Sequence, residues 1–426
     1  MLNLIGVIIA FIVIIILIYK KINFGLSLII GSTIVAIFSL STVGLIDIRN
    51  AILEATIYSF EDGQIVTETV ELAVLLTIIF ILAKSMQKTG AIQKLIESLR
   101  SIFTKGGTLG LIPAIYGLMP VPGGALFSAP LIDEEGNNFN LNKNQKNFLN
   151  VWFRHIWFPI FPISSAMILI CSIEYSNIDI YQLIIADSPA FIAFILIGLI
   201  FLKFFIKKAP IQAKKIDRDY SGLKFLLPPI IPIILYVILF AVGFPNLKYY
   251  QKTIFIIGVF LSLIILYFLT KIEWKKYLNI IKESLSFKLA FIILAIMLLR
   301  SIIEMSDANR ILTNMIGGLP IPSLFVIIII PLILGILTGY NLGAIALSYL
   351  LVEPFFPATG INIIGQTSII FMSSLAGYLI SPIHLCNVVS SDYLKTDTVR
   401  MYKMYIPATI MLLITHTIFI LIFYRL

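Results

Sequence analysis

The chain has 426 residues, of which 59% are hydrophobic and only 12% are charged. A soluble domain of this length cannot bury so much apolar surface, so the composition excludes a soluble protein and indicates a polytopic membrane protein. The net charge of +9 does not indicate nucleic-acid binding, because cytoplasmic loops of membrane proteins are enriched in Lys and Arg.

Ten apolar windows approach the length that a membrane-spanning helix needs. They are residues 2–19, 24–46, 69–86, 147–172, 182–203, 225–243, 253–270, 289–303, 366–389 and 404–424. The first window is interpreted as a transmembrane helix rather than a cleavable signal, since no basic residue precedes it and Lys20 and Lys21 follow it.

Two further apolar stretches, 106–132 and 322–357, have centres rich in Gly and Pro. Each half is only about 13–17 residues long, which favours re-entrant hairpins over full spans. For the second stretch, tilted full spans remain an alternative.

The distribution of basic residues predicts the orientation. With each hairpin returning to its starting side, 24 Lys and Arg fall on one side and five on the other. Because the basic side is cytoplasmic, we expect a multi-pass protein of the cell (plasma) membrane with both termini outside.

The order of these segments predicts an all-α polytopic fold with about 10 transmembrane helices and two re-entrant hairpins in a 5+5 inverted-topology repeat. An N-terminal repeat at 1–205 (hairpin 106–132) is joined by a cytoplasmic linker at 206–221 to a C-terminal repeat at 222–426 (hairpin 322–357). Local traces support the repeat: Pro113-x3-Gly117 matches Pro331-x3-Gly335, and Gly124-Ala125 matches Gly343-Ala344. Inverted repeats are typical of secondary transporters.

The broken segments are where a ligand site is expected. Non-helical backbone at membrane depth is tolerated when it is buried in protein or lines a wet cavity, and freed backbone groups can bind ions. At the hairpin tips the candidate residues are Pro122, Gly123, Gly124, Ser128, Thr338, Tyr340, Asn341 and Gly343. The alternative is that both hairpins are ordinary kinks or small-residue packing surfaces.

A second pair of breaks follows one helix later, at Pro159 and Pro162 and at Pro382. The candidate residues beside these prolines are Ser164, Ser165, His384 and Asn387, with Arg154 and His155 as anion or gating contacts. A buried structural histidine is the alternative for His384, and packing is the preferred role of His416.

Metal and disulfide sites are not expected. Cys171 and Cys386 lie in apolar segments without a CxxC spacing or a His/Cys cluster along the chain.

In its Gly/Pro-rich hairpin "PVPGGALFSAP" and its overall layout, the chain resembles the ion-transporter superfamily of secondary carriers. Within it the chain resembles the gluconate permease branch and an uncharacterised prokaryotic integral-membrane family that carries a similar hairpin. The resemblance implies alternating access, frequent dimerisation and a small organic anion as substrate. Sodium-coupled carboxylate members carry Ser-Asn-Thr triplets at the hairpin tips. This chain has Pro122-Gly123-Gly124 and Tyr340-Asn341-Leu342 instead, so the resemblance favours proton symport.

We therefore expect a secondary active transporter whose partners are a small organic anion and the lipid bilayer, with a homodimer as the expected assembly. No cofactor beyond a coupling H⁺ or Na⁺ is expected. An enzyme is disfavoured, because the sequence has neither an HExxH motif nor a sizeable soluble catalytic loop. The alternatives are a sodium/proton or other ion exchanger and the membrane subunit of a larger complex.

Overall fold

The computed structural model describes residues 2–56, 58–59, 64–65, 67–102, 106–118, 124–207, 218–308, 310–311 and 322–426. These residues are almost entirely helical. They also contain one small sheet, formed by the short antiparallel strands β1 (Tyr58–Ser59) and β2 (Gln64–Ile65).

The first half of the chain forms ten α-helices in the described residues. They are α1 (Leu2–Tyr19), α2 (Phe24–Ser39), α3 (Leu45–Glu54), α4 (Glu68–Lys88), α5 (Ala91–Ile102), α6 (Thr108–Gly117), α7 (Ala125–Asn138), α8 (Lys143–Arg154), α9 (Ser165–Cys171) and α10 (Ile180–Phe205).

The second half opens with a short 3-10 helix at Leu223–Leu226 and contains a second one at Glu353–Ala358. Its α-helices are α11 (Leu227–Ala241), α12 (Gln251–Thr270), α13 (Trp274–Ser284), α14 (Lys288–Met305), α15 (Ser323–Thr338), α16 (Asn341–Val352), α17 (Ile363–Ile380), α18 (Leu385–Leu394) and α19 (Thr398–Phe423).

Helix starts at corresponding places in the two halves use the same residue type. Asn142 and Asn362 cap α8 and α17, each accepting a backbone N–H at 3.0 Å. Asp179 and Asp397 cap α10 and α19, with distances of 2.7 and 3.1 Å. A capping side chain satisfies a backbone donor that the helix itself leaves unpaired. The two halves therefore repeat the same order of helices and start several of them by the same chemistry.

The halves pack crosswise rather than side by side. In one bundle, α2 contacts α14 while α4 contacts α12, and α4 also contacts α14. In the other, α7 contacts α18 while α9 contacts α16, and α10 contacts α19. Each half of the chain thus supplies half of two bundles, α1–α4 with α11–α14 and α6–α10 with α15–α19. The repeat boundaries at 205 and 222 and the linker 206–221, most of which lies outside the described residues, stay predictions.

Nine segments of the described chain are long and apolar enough to cross a membrane, against about ten expected. The windows 24–46 and 147–172 are not among the nine. The first forms a helix of only 16 residues, and the second breaks after Arg154. Conversely, Asn341–Ala358 in the second hairpin is long enough to span. Whether the hairpins are re-entrant stays a prediction.

In both halves, a glycine allows the first helix of the hairpin to contact the backbone of the helix that precedes the proline break, α8 in one half and α17 in the other. A β carbon on Gly117 of α6 would overlap the carbonyl oxygen of Arg154, and one on Gly335 of α15 would overlap that of Ser374. These two glycines are the matched pair of the sequence repeat. The matched contact therefore has a steric reason, since only a glycine permits this approach.

We expect Gly117→Ala and Gly335→Ala each to destabilise the protein by about 1–3 kcal/mol, because the added methyl group overpacks a backbone contact. Thermal unfolding of the detergent-purified protein measures this. Gly44→Ala is the control, since its β carbon would meet no atom closer than a side-chain oxygen of Asp47, at 3.3 Å. Equal stability of all three variants would contradict the close contact.

Candidate functional site

The first break separates α8 from α9. Pro159 has no N–H to donate to the carbonyl of His155, four residues earlier, and its ring clashes with the same carbonyl. Helix α8 therefore ends at Arg154. The chain then runs in turns to Ser164, whose hydroxyl accepts the N–H of Met167 at 3.3 Å and starts α9. The indole of Trp157, inside the break, donates to the carbonyl of Ala114 on α6 at 2.9 Å.

The second break separates α17 from α18. This break is shorter than the first. It contains one proline, Pro382, where the first break contains two, and α17 therefore continues to Ile380. The hydroxyl of Ser381 donates to the carbonyl of Ile336 on α15 at 2.6 Å. Gly339 ends α15 at φ 57° and lies against Ile383. Each break is thus held to the hairpin of its own half.

The two breaks meet each other in the protein interior. The rings of His155 and His384 lie 4.8 Å apart, centroid to centroid, and the ring of Tyr378 lies 3.9 Å from that of His384. His155 is 1% exposed and His384 is 0% exposed. This contact brings one ionisable ring from each half to a common centre.

Arg154 connects this centre to the first hairpin. Its guanidinium donates to the carbonyl of Tyr116 at 2.7 Å and lies against Gly124, where a β carbon would overlap it. The side chain is almost fully buried, so Arg154 does not extend to the membrane surface. A buried guanidinium in a membrane segment is a strong candidate for contact with an anion.

Two asparagines of α8 tie the halves together. Asn150 accepts the hydroxyl of Ser128 on α7 at 2.5 Å and donates to the hydroxyl of Ser390 on α18 at 2.8 Å. Asn147 donates to the amide oxygen of Asn387 at 3.1 Å. All five side chains are buried. A buried network of this kind specifies one arrangement of the three helices, since each member is costly when unpaired.

The second hairpin contributes a different set of contacts. The amide oxygen of Asn341 accepts the hydroxyl of Ser374 at 2.7 Å. The hydroxyl of Thr338 bonds to the carbonyl of Leu334 in its own helix at 2.7 Å. The ring of Phe24 packs edge-on against Tyr340 and lies against Gly343. Asn341 therefore remains the polar candidate here, whereas Thr338 satisfies its own backbone.

The structure thus brings together six of the residues predicted for the site: Gly124, Ser128, Arg154, His155, His384 and Asn387. Asn341 contacts Ser374 instead. Ser164 and Ser165 stand at the start of α9, where Ser164 serves as a cap. Pro122 and Gly123 lie outside the described residues. The sequence analysis did not single out Asn147 and Asn150. Two amide side chains three residues apart in an otherwise apolar window could have indicated them.

One cluster was not anticipated from the sequence. One nitrogen each of His155 and His384 and the thiol of Cys386 lie within 4.8 Å of one another, all buried. The sequence could not indicate this cluster, because His155 belongs to the first half and the other two residues to the second.

A second buried polar group joins α10, α17 and α19. The hydroxyl of Ser368 donates to Asp187 at 2.5 Å and accepts from Nε2 of His416 at 2.9 Å. His416 was expected only to pack, and Asp187 was not singled out. In a nucleophilic triad the imidazole lies between hydroxyl and carboxylate. Here the hydroxyl lies between the other two, so the arrangement does not activate a serine.

We expect Asn150→Ala to lower thermal stability markedly, because each buried partner that it leaves unpaired costs about 1–3 kcal/mol. Asn50→Ala is the matched control, since its amide meets the neighbouring Arg49 at the surface. Unfolding midpoints in detergent measure both variants, and an unchanged midpoint for Asn150→Ala would contradict the network.

Two solved structures share the fold. The YdaH transporter of Alcanivorax borkumensis matches with a TM-score of 0.62 at 11% identity, over 88% of this chain and 87% of that one. MtrF of Neisseria gonorrhoeae, described with a class of antimetabolite efflux pumps, matches with a TM-score of 0.57 at 12% identity, over 90% and 85% of the two chains. At these identities the likeness establishes a shared fold.

No curated protein matches the sequence. A family does: residues 3–423 match DUF401, described as "Protein of unknown function". This match supports neither the expected ion-transporter superfamily nor its gluconate permease branch. Because it covers nearly the whole chain, the protein belongs to the DUF401 family.

Proposed function

We propose that the protein is a secondary active transporter of a small organic anion, gluconate-like or carboxylate-like, coupled to protons and working by alternating access. The observation that carries the proposal is the meeting of two broken helices, one from each half, at a buried polar centre that both hairpins contact. A fold shared with two transporters supports it and disfavours an enzyme.

An anion is the substrate class that the chemistry of this centre favours. The guanidinium of Arg154 supplies a fixed positive charge within the interior. In the described part of the chain, α16 and α18 begin without a side chain capping their N-terminal N–H groups. Such helix starts carry partial positive charge and bind anions. These groups together would replace the water that an anion loses on entering the site.

The two crosswise bundles support alternating access. The centre lies in the bundle formed by α6–α10 and α15–α19, which can move against the other bundle as a unit. A cavity of about 280 Å³ lies at the far end of α9 from the first break, with Cys171, Glu68 and Lys252 in its lining. Seven helical residues span about 10 Å, which is the length of α9 between this cavity and the end of the first break.

Asp187, Ser368 and His416 are the proposed route for the coupling proton. A carboxylate and an imidazole linked through one hydroxyl can pass a proton between them, and both are fully buried. Ionisable groups inside membrane segments commonly mark proton relays. This assignment favours H⁺ over Na⁺, because the carboxylate of Asp187 and the imidazole of His416 can each hold a proton.

Several finer features are part of the same proposal: location in the plasma membrane, both termini outside and a homodimeric assembly. The alternatives are an ion exchanger and a membrane subunit of a larger complex. Because MtrF is described with efflux pumps, export is to be tested beside import.

The test is transport by proteoliposomes with an imposed pH or sodium gradient of either direction, screening gluconate, lactate, succinate and citrate. Arg154→Gln should raise the half-saturating concentration about 10- to 100-fold, since a charge-assisted hydrogen bond contributes about 1.5–3 kcal/mol. Arg100→Gln, which loses an exposed contact with Glu134, should transport normally. Failure of the folded protein to transport any anion would favour the exchanger or the subunit.

Coupling is tested separately with Asp187→Asn. We expect this variant to exchange substrate across the membrane without a gradient but to lose accumulation driven by a pH gradient, because the relay can no longer hold a proton on the carboxylate. Asp219→Asn, outside the spans, is the control. Proton-driven accumulation by Asp187→Asn equal to the wild type would exclude Asp187 from coupling.

A further inference from the structure

We propose that His155, His384 and Cys386 form a binding site for a thiophilic metal cation, with Zn²⁺ as the first candidate. The three residues come from the two breaks: His155 follows α8, His384 precedes α18, and Cys386 lies in the first turn of α18. Imidazole and thiolate are both zinc ligands, and soft thiolate ligands select Zn²⁺ or Cu(I) over harder cations.

The separations suit a metal ion after a small adjustment. The three ligand atoms lie within 4.8 Å of one another, so some point lies within about 2.8 Å of all three. Zinc bonds are about 2.0–2.3 Å long for nitrogen and sulfur ligands. Side-chain movements of under about 1 Å would therefore complete the coordination. Three protein ligands leave a fourth position for water or an anion.

The hydrogen bonding of His155 prepares it as a ligand. Its Nδ1 lies 2.6 Å from the carbonyl of Val151. A carbonyl only accepts, so Nδ1 carries the proton and Nε2 of the neutral ring presents its lone pair. Metal-binding histidines usually donate their other N–H to a carbonyl or carboxylate in this way, which fixes tautomer and ring orientation.

His384 supplies an independent observation. It is fully buried, and neither ring nitrogen has a hydrogen-bond partner among the residues that the structure describes. An unpaired buried nitrogen is costly and calls for a partner. A metal ion held with Cys386 and His155 would satisfy one of these nitrogens, while the ring keeps its packing against Tyr378.

Charge balance is compatible with a dication. Binding releases the thiol proton of Cys386 to water, so the thiolate offsets one of the two charges. The nearby guanidinium of Arg154 is directed to the carbonyl of Tyr116. A bound ion would cross-link the two breaks. The site does not depend on the proposed transport function, since it would form in any protein with this arrangement.

Cobalt is the probe for the test, because a Co²⁺–thiolate bond gives a strong near-ultraviolet charge-transfer band and Co²⁺ occupies zinc sites. We expect the full-length protein in detergent to develop this band on titration and to lose it when Zn²⁺ is added. Cys386→Ser should abolish the band, and His384→Gln or His155→Gln should weaken binding more than about 10-fold. Cys171→Ser, at the other buried cysteine, should bind as the wild type does.

Two results would overturn the proposal: no thiolate band in the folded wild type, or a band that persists in Cys386→Ser. If a variant fails to fold, the wild type and Cys171→Ser decide the question through alkylation. With one remaining cysteine in Cys171→Ser, Zn²⁺ should slow the reaction of Cys386 with a small thiol reagent at least about 10-fold. Unchanged alkylation would exclude the site.

Discussion

The structure depends on one constraint, which is that a helix broken inside an apolar interior must have its freed backbone groups satisfied by protein. Each half meets it by fastening its break to its own hairpin. In the first half the indole of Trp157 donates to the carbonyl of Ala114, and in the second the hydroxyl of Ser381 donates to that of Ile336. Matched glycines, Gly117 and Gly335, then bring helix and hairpin backbones into contact.

The halves share this framework but not its chemistry. Arg154 and Ser374 occupy corresponding positions, where the backbone of each contacts one of the matched glycines. One half therefore supplies a cation there and the other a hydroxyl that bonds to Asn341. The breaks also differ in length, since Pro159 has no counterpart in the second half. A repeated scaffold thus presents an asymmetric centre, which a single site for one small ligand requires.

The membrane spans and the helix breaks were largely predictable from the sequence. Apolar windows predicted the spans, because long runs of Ile and Leu are stable in contact with lipid. Prolines predicted the breaks, because proline has no backbone N–H to donate within a helix. The window at 147–172 was predicted to break at Pro159 and Pro162, and the structure has the break there, between α8 and α9. Asp187 carried its own signal, a carboxylate inside an apolar segment, and was overlooked.

By itself the sequence determined the class of protein, the order of the helices and the position of both breaks, because these follow from local hydrophobicity and backbone geometry. Only the tertiary structure decided which side chains meet. His155 and Cys386 are more than 200 residues apart and join solely through the crosswise packing of α8 and α18. The same holds for Asp187 and His416. Such contacts depend on how helices cross, which no local pattern in the chain records.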